Sequence, residues 1–170
     1  AALHDRSRTG RGQVIDAAMV DGAGLLGALQ WSWNAAGRWG SRDQGNLLDG
    51  SAPFYATYRC ADDKFVAVGA LEEKFWTSFC DGIGLAAELR DDRHDPAATR
   101  AAITAIIASR PAAHWRETIE PLDCCCTVVR TLDEALADPH LTARGLLDRQ
   151  VEEPGGRRMV STPLPLAPLF

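Results

Sequence analysis

The sequence is notable first for what it lacks. In its 170 residues no apolar run is long enough to cross a membrane. There is no C-x-x-C pair and no Cys…His spacing of the kind that holds zinc, so no metal site is expected. G-x-S-x-G, H-E-x-x-H and the P-loop are all absent, which removes the common hydrolase, zinc-protease and nucleotide-triphosphate readings. Gly37, Gly40 and Gly45 do not follow the G-x-G-x-x-G order and have no strand before them, so residues 35–48 read as a connector. Basic charge is short as well. Lys and Arg number 18 against 23 Asp and Glu, for a net charge of −5 and a pI near 5.3. Such a chain cannot neutralise a run of phosphates, and no nucleic-acid partner is expected. Histidines number four. His4, His94, His114 and His140 have no partners at diagnostic spacing and read as exposed or capping residues.

Cysteine is present but poorly arranged for cross-linking. Cys60 and Cys80 stand alone, Cys124, Cys125 and Cys126 are adjacent, and the count is odd. A reducing cytoplasm, with the thiols serving as small buried side chains, is the simpler reading.

What is there supports a folded domain. Hydrophobic residues make up 46% of the chain, enough for a core in one domain or one and a fraction. The most informative stretch is 49–76. Phe54–Cys60 and Phe65–Gly69 are two β-rich runs joined by Ala61-Asp62-Asp63-Lys64, a β-hairpin pattern. The period then changes from 2 to 3.6. Leu71, Phe75, Phe79 and Ile83 recur at helical spacing, which predicts a helix directly after the second strand. Glu72 sits at that junction. A carboxylate there is favoured by the helix dipole alone, and a catalytic role stands beside that plainer one.

Elsewhere, Ala1–Arg6 reads as the end of a helix entered midway, which suits either a trimmed chain or a piece of a longer one. Residues 5–12 read as a polar turn, Gln13–Met19 as a short strand and Val20–Trp33 as one helix. That helix is apolar on most faces through Leu25, Leu26, Leu29, Trp31 and Trp33, so it requires a cover. Asp16 and Asp21 read as cap or turn residues. Gly82-Ile83-Gly84 stops the 75–83 helix, and 85–96 is a charged loop. Asp95-Pro96 opens a helix to Ser109 with Ile103, Ile106 and Ile107 inward and Arg100 outward. Arg110-Pro111 breaks it, and 112–120 begins another. Leu122–Val129 is β-like, 133–137 a short helix ended by Pro139, and 141–147 a helical turn. Residues 149–152 and 158–160 flank Pro154-Gly155-Gly156 as a second hairpin. Pro163, Pro165 and Pro168 keep the end extended. The sum is an α+β domain with a carboxylate at a hairpin-to-helix junction.

Four stretches, in order, resemble the family of alpha-methylacyl-CoA racemases and family III CoA-transferases. They are Arg8–Gly22 (RTGRGQVIDAAMVDG), Ala52–Tyr58 with Phe65–Gly69, Cys125–Val129 with Asp133–Ala135, and Asp138–Leu141 with Ala143–Gly145. Val128 stands where the third motif usually has proline. The resemblance covers only the later half of such a protein. It implies β-hairpins packed with helices as the small domain of that fold, plus a strand and helix belonging to a Rossmann-like large domain. The implied boundaries are 1–48 for the large-domain remnant and linker, 49–150 for the small domain, and 151–170 for an extended return segment. It also implies an interlocked homodimer and an acyl-CoA substrate with no cofactor. Racemases of the family remove and return the proton alpha to a thioester with a His/Glu pair on one face and an Asp on the other. Glu72 matches the Glu of that pair, while the His and Asp belong to the earlier half. Glu73 is unmatched and expected in solvent. Pro53, Tyr55 and Tyr58 are implied substrate contacts. The run Val68–Glu72 favours racemase over the transferase branch. A non-catalytic dimerising module is the third alternative.

Overall fold

The computed structural model describes residues 1–40 and 46–161. Gly45 and the terminal prolines Pro163, Pro165 and Pro168 lie outside the described residues. The chain divides into two compact units, Ala1–Ala52 and Pro53–Phe170.

In the first unit, α1 spans Ala2–Thr9 and ends on Gly10, whose φ of 71° is the left-handed stop glycine tolerates best. Helix therefore extends through most of the segment expected to be a polar turn. Residues 11–18 are not a strand, correcting the expectation for Gln13–Met19. The apolar pattern is there, but Val14 and Ile15 are exposed and no neighbouring strand accepts their backbone. The expected single helix is two, α2 (Met19–Leu26) and α3 (Ala28–Ala35), separated at Gly27. The break is slight, because Gly27 N–H still donates to the Ala23 carbonyl and the Gly27 carbonyl accepts from Trp31 N–H. Asp21 lies in the first turn of α2, where the dipole favours it.

The second unit carries the core. β1 (Tyr55–Arg59) and β2 (Phe65–Gly69) form the expected hairpin, with Thr57 opposite Ala67. Asp63 takes a φ of 64° in the turn, a conformation Asp tolerates, and its carboxylate lies 2.7 Å from Arg59. β3 (Cys126–Val128) adds to β2 antiparallel, with Val66 opposite Val128. Alternation puts Ala56, Tyr58, Val66, Val68 and Val128 on one buried face.

Three helices share the core on that side, α5 and α6 against the strands and α4 beside α5. α4 (Glu73–Ile83) contributes Phe79, Cys80 and Ile83 and stops on Gly84 at φ 69°. Leu71 precedes it and is exposed, so the apolar spacing overstated the helix by its first member. A short 3₁₀ turn, Ala87–Leu89, interrupts the following loop. α5 (Pro96–Ala108) starts as expected: Asp95 accepts from Ala98 N–H, Pro96 occupies the first turn, and Ile103 and Ile107 are buried. Arg100 is half-buried over the Tyr58 ring rather than outward, its guanidinium carbon 5.8 Å from the ring centre. α6 (Ala112–Thr118) buries Trp115.

The chain then alternates short helices and strands. α7 (Leu132–Leu136) opens with a capping box between Thr131 and Glu134. Pro139 starts α8 (Pro139–Ala143) rather than merely ending α7, because Asp138 caps it by accepting from the amides of His140 and Leu141. β4 (Arg149–Glu152) and β5 (Arg158–Ser161) form the second hairpin, leaving Val151, Met159 and Val160 exposed.

Candidate functional site at the hairpin-to-helix junction

The junction after β2 is held on three sides. Gly69 N–H donates to the Cys125 carbonyl at 3.0 Å, Ala70 N–H to the Phe54 carbonyl at 2.9 Å, and Leu71 N–H to the Gly69 carbonyl at 2.9 Å. The backbone therefore reaches Glu72 from a fixed platform. Glu72 is the N-cap residue of α4, extended at φ −88° and ψ 144°, and its carbonyl accepts from Phe75 and Trp76. Its side chain makes no capping hydrogen bond and is exposed. The carboxylate stays uncommitted at the positive end of a helix.

Cys125, the residue before β3, completes the platform. It holds φ 52°, uncommon for a residue with a Cβ, and this conformation accompanies the carbonyl contact to Gly69. Its thiol is exposed. Cys60, Cys80 and Cys124 are buried and Cys126 is half-buried, so the small-apolar reading fits three of the five. Burial pushes the Cys80 thiol up to about 11. All five are free thiols.

Tyr58 and Pro53 lie on the inner side of the hairpin. Tyr58 is 2% exposed and its hydroxyl donates to the Pro53 carbonyl at 2.6 Å. Burial raises the phenol to about 12, partly opposed by Arg100. Pro53 is itself buried. These two residues fasten the loop before β1. Tyr55 is half-buried and pairs with Gly69. Substrate contact at Pro53, Tyr55 and Tyr58 is an implication of the resemblance alone.

Residues 1–168 match the family described as CoA-transferase family III. The chain belongs to CoA-transferase family III. It is similar to alpha-methylacyl-CoA racemase of Mus musculus, at 38% identity over 82% of this chain and 37% of that protein. It is similar to the Homo sapiens alpha-methylacyl-CoA racemase at 37% identity, over 85% of this chain and 38% of that protein. It is also similar to acetyl-CoA:oxalate CoA-transferase of Acetobacter aceti, at 32% identity over 98% of this chain and 43% of that protein. In fold it resembles the crystal structure of Rv3272 from M. tuberculosis, with a TM-score of 0.63 at 22% identity, covering 98% of this chain and 43% of that one. The chain thus spans about two fifths of the length of these proteins.

For a family III chain, several motif residues do structural work. Asp133-Glu134 belongs to the cap of α7, and Lys64 and the Thr131 amide bind Glu134, holding its carboxyl down to about 2. Asp138 caps α8 and pairs with Arg130, and these contacts hold its carboxyl below the usual range. Sequence reasoning missed others. Glu120 accepts from Thr127 Oγ1 at 2.9 Å and Val128 N–H at 3.0 Å, tying β3 to the turn after α6. Trp76 Nε1–H donates to the Arg90 carbonyl at 2.7 Å, joining α4 to the 85–93 loop. In the first unit, buried Asn46 donates to Asp49 at 2.8 Å and exchanges bonds with the Gly40 backbone, inside what read as a mere connector. The Trp76–Arg90 bond spans 14 residues, and no local pattern announces a partner that far along the chain.

An open cleft of about 620 Å³ lies beside the junction. Phe54, Leu71, Trp76 and Asp92 line it, with Glu73, but Glu72 does not. Glu73, expected simply in solvent, is exposed and forms part of that wall. Among the described residues, no three His, Cys, Asp or Glu side chains come together to hold a metal ion. No helix is long and apolar enough to cross a membrane among them either.

Proposed function

We propose that these residues are the later part of an alpha-methylacyl-CoA racemase-like enzyme. It would epimerise the alpha carbon of 2-methyl-branched acyl-CoA thioesters by proton removal and return. The observation that carries the reading is Glu72, an exposed carboxylate on a rigid junction that its own helix does not use. In this role Glu72 receives the N–H of a histidine supplied by the earlier part of the fold. It would hold the ring's orientation and stabilise its protonated form. The alpha proton becomes removable as charge moves onto the thioester oxygen, so the complete site must stabilise an enolate. The catalytic His and Asp are not assigned to any residue of this chain. The similarity to two racemases at 37–38% identity supports the choice of reaction.

In this proposal residues 1–48 belong to the large CoA-binding domain and its linker, 49–150 to the small domain, and 151–170 to a return segment. The enzyme works as a homodimer, acyl-CoA is its substrate, and its free thiols suit the reducing cytoplasm. The test is exchange of the alpha proton of a 2-methylacyl-CoA in deuterated water. The 170 residues alone are expected to be silent, and addition of the earlier half is expected to restore exchange, which Glu72→Gln then reduces by about 10²–10⁴-fold. Full exchange by the 170 residues alone overturns the reading.

A second reading rests on the similarity to an acetyl-CoA:oxalate CoA-transferase across 98% of the chain. CoA transfer to a free carboxylate without alpha-proton exchange would select it. A third, a non-catalytic dimerising module, is favoured by the exposed apolar side chains of α2 and α3. A strictly monomeric species in sedimentation would count against that module.

A further inference from the structure

The cleft beside the junction is a different place from the Glu72 carboxylate, because Leu71 and Glu73 line it and the residue between them does not. Its charges are unevenly committed. Arg90 Nη1 donates to Asp81 Oδ1 at 2.6 Å and its Nε to the Leu85 carbonyl at 3.0 Å. Arg93 lays its guanidinium across both oxygens of Asp91, at 2.8 and 3.1 Å. Neither guanidinium keeps an open fork for an anion. Glu73 and Asp92 also line the cleft, and neither carboxylate makes an ion pair or side-chain hydrogen bond with another described residue. Arg93 is within electrostatic reach of both, but Asp91 already fills its fork.

Asp92 is half-buried, and burial pushes its carboxyl above the usual aspartate range. A carboxylate that has lost water without gaining a cation is costly, and a ligand that brings the cation relieves it. The rings of Phe54 and Trp76, edge to face at 6.2 Å, border the same space. The Trp76 N–H is already bonded to the Arg90 carbonyl, so the indole offers π surface rather than a donor. Aromatic surface with unpaired carboxylates attracts an organic ammonium. A divalent ion, which seeks oxygen ligands, gains nothing from the two rings.

We propose that this cleft binds the ammonium group of a small organic cation, a primary or quaternary alkylammonium, between the carboxylates of Asp92 and Glu73 and the rings of Phe54 and Trp76. The proposal does not depend on the racemase reading, and its test needs no turnover. The 170-residue chain is titrated at constant ionic strength with choline chloride and, separately, with 3,3-dimethylbutan-1-ol, its uncharged isostere, by ¹H–¹⁵N correlation spectroscopy. Choline is expected to give saturable shifts at the Trp76 indole N–H and the Asp92 and Arg93 amides. The alcohol, and choline on Asp92→Asn, are expected to bind at least about tenfold more weakly. Glu73 is exposed, so Glu73→Gln serves as a second variant that leaves the fold intact and is expected to weaken choline binding. Equal binding of the alcohol overturns the proposal, as does undiminished binding by both variants. So does the absence of saturable shifts at those positions.

Discussion

Two apolar helices of this chain behave in opposite ways. α4 buries Phe79, Cys80 and Ile83 in the core shared with the inner face of the β1–β2–β3 sheet, and Phe79 is fully buried. α2 and α3 are as apolar by eye, yet Leu26 is 87% exposed and Trp31 70%. The difference lies in phase as much as in composition. In α4 the apolar residues fall on one stripe with Glu73, Lys74 and Thr77 opposite, and the shared core, with α5 beside it, supplies the surface that stripe needs. In α2 and α3 the apolar residues surround the axis, and the described residues provide no surface that covers all of them. A helix pattern predicts a helix in both regions. Only the presence of a complementary face makes one of them core.

The sharpest way to break the comparison is to cut one side chain from each region. Phe79→Ala is expected to cost about 3–5 kcal/mol and to lower the urea midpoint of the second unit. Leu26→Ser should change stability by no more than about 0.5 kcal/mol. A large loss from Leu26→Ser would mean that α2 is covered in solution, which sedimentation of the same protein would reveal.

A smaller effect is expected at Glu120. Removing its carboxylate with Glu120→Ala frees the N–H of buried Val128 and the Thr127 hydroxyl, at a cost of about 1–3 kcal/mol in urea unfolding. The isosteric Glu120→Gln keeps an acceptor and should recover much of the loss.

The acid limb of stability is a further probe of the second unit. The Lys64 ammonium and the Thr131 amide hold the Glu134 carboxyl at about 2, below its ordinary value of 4.5. A depressed folded-state value means that the stabilisation is present above about pH 4.5 and fades as the pH falls toward 2. Carboxyl NMR should show Glu134 titrating well below the exposed glutamates. Lys64→Met should return it toward the ordinary value and flatten the acid limb.

The smallest change is at the junction platform. Cys125 holds φ 52°, which costs a residue with a Cβ about 1–2 kcal/mol, while glycine brings back about 0.5–1 kcal/mol of chain entropy. Cys125→Gly should therefore leave stability unchanged or raise it by up to about 1 kcal/mol in thermal unfolding. Native thiol labelling should meanwhile lose its fastest site, since Cys125 is the exposed thiol and Cys60, Cys80 and Cys124 are buried.

Some elements could be read locally because short-range physics sets them. The hairpin needs only alternation and an Asp-bearing turn, α5 only its Asp95-Pro96 start, and α4 only the change of period and the Gly84 stop. The reading failed where the outcome depends on a partner. Gln13–Met19 has strand-like residues but no strand beside it, and Pro139 begins a helix because Asp138 caps it. Arg100 turned inward because the Tyr58 ring lies within reach. The place of Glu72 at the strand-to-helix boundary was legible from the change of period. The burial of Tyr58 and Pro53 was not, because their bond closes a loop whose geometry no residue pattern records.

The sequence by itself determined membership of CoA-transferase family III, the hairpin, the helix that follows it and the carboxylate between them. Periodicity, caps and turn residues act over a few neighbours and survive in the linear chain. Tertiary structure decided which apolar face became core, that the Glu72 side chain stands clear of its helix while Glu73 and Asp92 face a shared cleft, and that Cys125 closes the platform from a distant part of the chain. Those outcomes follow from contacts between residues far apart in the chain, where packing and desolvation, rather than local preference, set the energy.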